Sequence, residues 1–258
     1  MHYASIENIS KSFGVRNLFT GITFHISEGE KIALIARNGF GKSTLLNILS
    51  GKDTPDSGSC WIHKDIQLVM LHQEHEFDIE STVRDVIFGM NHTIVKVVKA
   101  YEEYIESGNE DADLLQDLLT KMDEYQAWNF ENEVQQILSK LKITNLLQTV
   151  KTLSGGQKKR VALAQALIET ELYEGKCLLI LDEPTNHLDV EMIEWLERFL
   201  STDKVTLLMV THDRYFLDEV CNEIIELEDE KVYIHKGNYA YFLEQKAHRL
   251  EVTQSELL

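Results

Sequence analysis

The sequence is short of proline, cysteine and positive charge, and it has no long apolar run. Two prolines and 13 glycines in 258 residues exclude a collagen-like or proline-rich disordered chain. The three cysteines, Cys60, Cys177 and Cys221, are far apart and form no C-x-x-C pair. Neither a disulfide framework nor a zinc knuckle is indicated, and free thiols fit a reducing compartment. Lys and Arg number 25 against 43 Asp and Glu, a formal net charge of −18. Wrapping nucleic acid needs a surplus of cations, so this segment is not built to embrace RNA or DNA by bulk charge. The longest apolar stretches, "CLLIL" and "LLMV", are strand-sized, far short of the ~20 residues of a membrane helix. The N-terminus, "MHYASIENIS", has no signal-peptide core. These absences predict a cytoplasmic protein with no membrane segment of its own.

What is present is a hydrophobic fraction of 43%, enough for a sizeable core in a chain near the upper limit of one domain. The hydrophobic period changes along the chain. Up to about residue 75 the pattern is that of strands: "GITFHI" alternates, "EGEKIALIA" is a turn and a short apolar run, and "SCWIHKDIQLVML" holds two more. From about 80 to 152 the spacing is helical. Ile94, Val97, Val98 and Tyr101 form one stripe, Leu114, Leu115, Leu118 and Met122 a second, and Val134, Ile137, Leu138 and Leu141 a third. The break "ESGNEDAD" carries a turn and an N-cap signal, so about 93–125 reads as a short helical hairpin. Strands return at "KCLLILDEP" and "KVTLLMVTHD", alternating with the helical "GQKKRVALAQALIE" and "EMIEWLERFLS", the signature of a parallel α/β core. "EIIELEDEKVYIHKG" reads as a hairpin with an acidic turn, and the end is helix-prone and charged.

Three motifs carry chemistry. "ARNGFGKST" stands between an apolar strand and a helix, the context a phosphate-binding loop requires. Asn38, Gly39, Phe40, Gly41, Lys42, Ser43 and Thr44 form the candidate ATP-binding loop. The glycines let backbone N–H groups face an anion at the helix N-terminus. Lys42 would reach the β- and γ-phosphates, and Ser43 would bind Mg²⁺. The consensus glycine is replaced by Ala36, tolerable where φ is negative. In "LLILDEP" an apolar strand delivers Asp182 and Glu183 to its C-terminal end, where open α/β sheets bind ligands. Asp182 would hold Mg²⁺ through water, and Glu183 would act as general base. "LSGGQ" opens a helix, and Ser154, Gly155, Gly156 and Gln157 make a second anion site. One ATP needs only one phosphate loop, so the second site suggests a nucleotide held between two domains.

Together these motifs resemble the ATP-binding cassette (ABC) family over almost the whole chain. "ARNGFGKST" matches the Walker A position, "LSGGQ" the signature, "LLILDEP" the Walker B, "NHLD" the D-loop and "VTHD" the switch histidine, in the family's order. The resemblance implies an α/β P-loop NTPase fold, an ABC nucleotide-binding domain with an antiparallel β subdomain and a helical subdomain. It implies adenine stacking on Phe13, a Q-loop residue at Gln73 that senses Mg²⁺ and the attacking water, a γ-phosphate contact from His212, and a link between paired sites through Asp189. The cofactors implied are ATP and Mg²⁺, and the partner is a second cassette, in the same longer chain or in a second copy.

"DEPTNHLD", "THDRYFLD" and "GNYAYFLEQK" are similar to the F branch of the family, soluble tandem ATPases that act on ribosomes. That resemblance implies a cassette over 1–241 and the start of an interdomain helical linker over 242–258, cut from the N-terminal half of a longer protein. The hairpin near 93–125 falls where the branch carries an arm; it is acidic, and suits ribosomal protein better than rRNA phosphate. The core motifs are shared with ATPase subunits of membrane transporters, and an isolated cassette also fits a nucleotide-dependent interaction module with little turnover. All three readings stand at the level of sequence.

Overall fold

The structure is a computed structural model, which describes residues 1–36, 39, 41–71 and 77–255, with side chains as far as residue 252. The chain divides into two units, Met1–Gln73 with Glu174–Thr185 and Ile193–Leu258, and Glu74–Tyr173 with Asn186–Met192.

The first unit holds two sheets. Strand β1 (His2–Phe13) is buried continuously over Tyr3–Ile6, whereas alternating burial makes β2 (Arg16–Ser27) a one-sided strand: Phe19, Ile22, Phe24 and Ile26 are buried and the residues between them are exposed. With β4 (Ser57–Ile62) they form an antiparallel sheet in the order β2-β1-β4. The second sheet has the order β5-β6-β7-β3-β8-β9. It comprises β3 (Lys31–Ala36), β5 (Gln67–Leu71), β6 (Cys177–Asp182), β7 (Thr206–Val210), β8 (Glu223–Glu228) and β9 (Lys231–Lys236). All neighbours are parallel except β8 and β9. The central strands "CLLIL" and "TLLMV" are buried along their whole length, as parallel strands covered on both faces must be. Each fully buried Leu or Ile is worth roughly 1.5–3 kcal/mol, so these strands anchor the unit. The expected acidic hairpin turn is Asp229–Glu230, both with positive φ (51° and 62°), the conformation of a tight two-residue hairpin loop.

Helices complete this unit: α1 (Lys42–Leu49) after β3, α7 (Val190–Leu200) between β6 and β7, which belongs to this unit from Ile193 onward, α8 (Arg214–Val220) between β7 and β8, and α9 (Tyr239–Ser255) after β9. The boundary expected at 241/242 falls inside α9. Phe242 is buried, and Lys246 and Arg249 each bind both Glu226 and Glu228 of β8. The distances are 2.7 Å from Lys246 Nζ to Glu228, and 2.7 and 2.6 Å from Arg249 Nη2 to Glu226 and Glu228. Glu226 is only 2% exposed, and the Arg249 guanidinium lies 3.7 Å from the Tyr233 ring centroid. Burial pushes the Glu228 carboxyl up, but the hydrogen bonds and charges of Lys246 and Arg249 outweigh it and leave it below its ordinary value.

The second unit contains α2 (Val83–Ile87), α3 (Thr93–Ser107), α4 (Ala112–Glu124), α5 (Trp128–Lys140), a 3₁₀ turn at Val150–Thr152 and α6 (Gly155–Leu172). Thr82 and Asp85 form a capping box at α2. The Thr82 hydroxyl and backbone N–H, with Lys99, hold the Asp85 carboxyl down at about 2. The helical hairpin is α3 and α4, closed by Gly108 with φ 64° and recapped by Asp111. Its inward stripe differs from the expected one. Val97, Val98, Leu118 and Met122 are buried as expected, but Val95 and Tyr104 are buried as well and Leu114 is exposed; Tyr104 donates to the Asp111 carbonyl across the turn (2.9 Å). The α5 stripe Val134, Ile137, Leu138 and Leu141 is buried as expected.

Candidate functional site

The parallel strands β3, β6 and β7 end on the same edge of the second sheet, the edge where such sheets bind ligands. Strand β3 ends at Ala36, paired with Leu227 of β8. Gly39 and Gly41 have φ of 79° and 94°, conformations that favour glycine. A side chain on Gly41 would also meet Leu18 and Phe19 at 3.2 Å, so this glycine is required twice over. Gly41 is the N-cap of α1, and among the described residues no side chain caps that helix; such first-turn N–H groups suit an anion. Lys42 opens α1 and donates from Nζ to the Ala36 carbonyl at 3.1 Å. Ser43 is exposed and Thr44 half-buried at the same end. Asn38, Phe40 and Gln73 lie outside the described residues.

Ala36 occupies the first position of the loop motif without strain. It is the last residue of the strand, 9% exposed, and does not have positive φ. Ala36→Gly is therefore expected to leave the Kd for ATP within about twofold, since no backbone freedom is lacking there. It should lower stability by about 1 kcal/mol through backbone entropy and a lost buried methyl, or about 3 °C in Tm. Nucleotide titration and thermal unfolding check both; a tenfold gain in affinity would show the loop strained at this position.

Strand β6 places Asp182 opposite Val210 of β7. Burial holds the Asp182 carboxyl above its ordinary value, and the neighbouring Glu183 charge adds to this, against the opposing charges of Lys42 and His212. Glu183 has φ 50°, a backbone conformation costing about 1–3 kcal/mol for a non-glycine residue. Its N–H is fixed by the Val210 carbonyl at 2.8 Å, and its Oε2 accepts from the His212 N–H at 3.2 Å. The second oxygen, Oε1, lies 3.3 Å from His212 Nε2. That distance is within ion-pair range, yet the geometry makes no hydrogen bond, and among the described residues the buried Oε1 has no donor. The Glu183 side chain is 11% exposed and that of His212 70%. A strained, largely buried carboxylate with one oxygen left without a donor by the described residues, beside an exposed histidine, is an arrangement suited to receiving a water proton. Phe13 ends β1 with its ring 82% exposed, available to a flat ligand.

The second unit carries the remaining motif residues. Ser154 caps α6, and Ser154 and Gln157 form a reciprocal capping box at 2.8 and 3.2 Å. Ser154 and Gly155 are exposed at its tip. Asp189 caps α7, accepting from the Met192 N–H at 3.0 Å, and its other oxygen accepts from Lys142 Nζ at 2.6 Å. The Lys142 hydrogen bond, with the Met192 N–H, holds the Asp189 carboxyl below its ordinary value. Lys42, Asp182, Glu183 and His212 thus belong to one unit, and Ser154–Gln157 and Asp189 to the other. Sequence reasoning missed Lys142 and the Val210 carbonyl. The first stands 47 positions from its partner, and the second is a backbone atom with no sequence signal. Among the described residues there is no cluster of His, Cys, Asp or Glu able to hold a metal by itself, and no helix is long and apolar enough to cross a membrane.

A family model described as "ABC transporter" matches residues 19–186. The chain is 42% identical over 255 residues to the uncharacterized ABC transporter ATP-binding protein YfmR of Bacillus subtilis (strain 168), covering 96% of the chain and 40% of that protein. It is 34% identical to the energy-dependent translational throttle protein EttA of Mycobacterium tuberculosis (strain CDC 1551 / Oshkosh), covering 96% of the chain and 44% of EttA. Identity to ABC transporter F family member 2 of Arabidopsis thaliana is 33%, covering 95% of the chain and 38% of that protein. The chain thus spans less than half the length of these relatives. Among solved structures, a dimeric post-hydrolysis state of the ATP-binding cassette MJ0796 bound to ADP and Pi superposes with a TM-score of 0.61 at 21% identity, covering 90% of this chain and 98% of that one. That likeness is one of fold.

Proposed function

The chain belongs to the ATP-binding cassette family and is an ABC-F-type cassette, and from that premise we propose that it binds and hydrolyses ATP as one half of a two-cassette clamp acting on the ribosome in the regulation of translation. The observation that carries the catalytic part is Glu183: a largely buried carboxylate with one oxygen lacking a donor among the described residues, on the sheet edge that also carries Lys42 and His212. The glycine conformations at Gly39 and Gly41 and the uncapped start of α1 fit a triphosphate. Phe13 offers a face for adenine, and Asn38, Phe40 and Thr44 complete the loop. Ser43 and Asp182, with Gln73, would hold Mg²⁺; when bound, that ion neutralises charge on the phosphates.

In the reaction, Glu183 accepts a proton from water as the water oxygen bonds the γ-phosphorus. The bond to the bridging oxygen breaks, and ADP leaves. Lys42 and His212 stabilise the charge on the γ-phosphoryl oxygens. Ser154, Gly155, Gly156 and Gln157 of one cassette close over the nucleotide of the other, excluding water and completing the site. The second cassette is in the same longer chain or in a second copy. The ribosomal role is supported by the likeness to EttA, whose name states a translational function. The test is sedimentation of the complete protein carrying Glu183→Gln with purified ribosomes and, separately, with membranes, in the presence of ATP. Pelleting with ribosomes is expected; pelleting with membranes alone would transfer the cassette to a transporter.

A further inference from the structure

The D-loop segment Asn186–Met192 follows strand β6, yet it groups with the helical unit that carries the signature helix α6. His187 and Lys142 hold it there, and Arg160 fixes the backbone beside Lys142. The His187 side chain lies over Gly156, so that a Cβ on Gly156 would stand 3.4 Å from the His187 Cβ. Arg160, on the second turn of α6, donates from Nη1 to the Leu141 carbonyl at 3.2 Å. The next residue, Lys142, donates to Asp189 at 2.6 Å and lies 3.6 Å from Glu191. Lys142 and His187 both have positive φ, 54° and 68°. Backbone in this region persists in non-glycine residues when surrounding contacts impose it. The Lys142–Asp189 pair is about half exposed on both sides (49% and 47%), and such pairs add little to stability. What it fixes is position: Asp189 Oδ1 caps α7 while Oδ2 is held from α5's end, so the aspartate has one orientation.

We propose that Lys142 and Arg160 are positioning residues that lock the D-loop to the signature helix, so that Ser154 and Asp189 are presented to a second cassette as one surface. The inference rests on the two-cassette reading above and adds to it a device that is internal to one cassette. Without the lock, the signature could close on the opposing nucleotide while the D-loop stayed free, and the closed site would be imperfectly assembled. The partners of Lys142 among the described residues are Asp189 and Glu191, so the substitution is aimed at the D-loop and the ATP affinity of its own cassette is expected to be unchanged.

The experiment compares Lys142→Met and Lys142→Arg in the complete protein. In Lys142→Met, amide hydrogen exchange at Val190–Met192 is expected to rise at least about fivefold, as the cap loosens locally. The kcat for ATP is expected to fall about tenfold, the scale of a small misplacement of reacting groups, with KM within about twofold. Tm should stay within about 2 °C, as for a half-exposed pair. Lys142→Arg should restore both exchange and kcat. Unchanged exchange overturns the lock, and faster exchange with unchanged kcat overturns its positioning role. A fall in Tm with KM rising and kcat intact would make Lys142 merely structural. The exchange measurement needs no turnover, so it judges the lock even if Glu183→Gln shows the hydrolytic reading to be wrong.

Discussion

Glu183→Gln is expected to lower ATP turnover by at least about a hundredfold, the smaller end of what a general base contributes, while ATP remains bound. The substitution keeps the shape of the side chain and its left-handed backbone. The Val210 carbonyl still accepts from its N–H, and an amide oxygen still accepts from the His212 N–H. What is lost is the ability of the second oxygen, without a donor among the described residues, to take a proton. Because the packing is retained, Tm should move by less than about 3 °C, less than the effect of ~1 kcal/mol in a chain of this size. Rapid-quench turnover and retention of labelled ATP read the two parts separately. Turnover within threefold of the unsubstituted protein would remove Glu183 from the role of base.

Replacing both Lys246 and Arg249 by alanine is the substitution expected to cost most in stability. It leaves the Glu226 carboxylate, 2% exposed, inside the protein without the cations that face it from α9. Removing one side of a buried ion pair typically costs about 3–5 kcal/mol, which for this chain corresponds to a Tm lower by roughly 10 °C. The arginine also loses its seat over Tyr233. The pH dependence distinguishes this clasp from simple loss of packing. In the native protein the Glu228 carboxyl is held below its ordinary value. Its contribution is therefore fully present above the ordinary carboxylate range and is lost as pH falls through the folded value. In the double substitution only burial acts on Glu228, which raises it, so stability is lost as pH rises. The gap between the two proteins should be wider at pH 8 than at pH 5 in thermal unfolding. His235 lies near, its Nε2 3.8 Å from Glu226. Burial holds its imidazole below the ordinary value against the Glu226 charge, and the Arg249 and Lys246 charges add to burial. It is therefore neutral at pH 8, and losing those two cations lets it protonate more readily at low pH, which narrows the gap there and acts in the same direction. A gap independent of pH would assign the loss to packing alone.

What the sequence disclosed best was chemistry attached to regular structure. The apolar runs of β3 and β6 are unambiguous, and Lys42, Asp182 and Glu183 follow them directly. Ser154 with Gln157 three residues on is a capping box legible from spacing alone. The Asp229–Glu230 turn announced itself by separating two apolar strands. Legibility failed where a long-range partner decides. Leu114 has a helical stripe around it, yet it is exposed, because the rotation of a helix is set by what it packs against and not by its own period. Lys142 looks like any surface lysine until Asp189 is brought to it. Glu226 and Glu228 stand two apart on a strand, and Lys246 and Arg249 three apart on a helix. Each spacing puts two charges on one face, but nothing in either says that the faces meet. That meeting is why the expected boundary at 241/242 falls inside a helix that is part of the cassette's own packing.

The seating of α9 also fixes a heading. The helix is tied at its first residue, where the Tyr239 N–H donates to Asp218 at 2.7 Å, and again at Lys246 and Arg249. Those ties span about 15 Å of helix at 1.5 Å per residue. Between them there is no swivel, so the segment acts as a splint against β8. Strand β8 is itself hydrogen-bonded to β3, Ala36 against Leu227, and β3 leads into the loop that carries Lys42. A fluorophore or fused domain attached beyond Arg249 would therefore keep a set angle to the nucleotide-bearing sheet. Its orientation, read by energy transfer, would follow the rotation of the whole sheet and not the wandering of a tether.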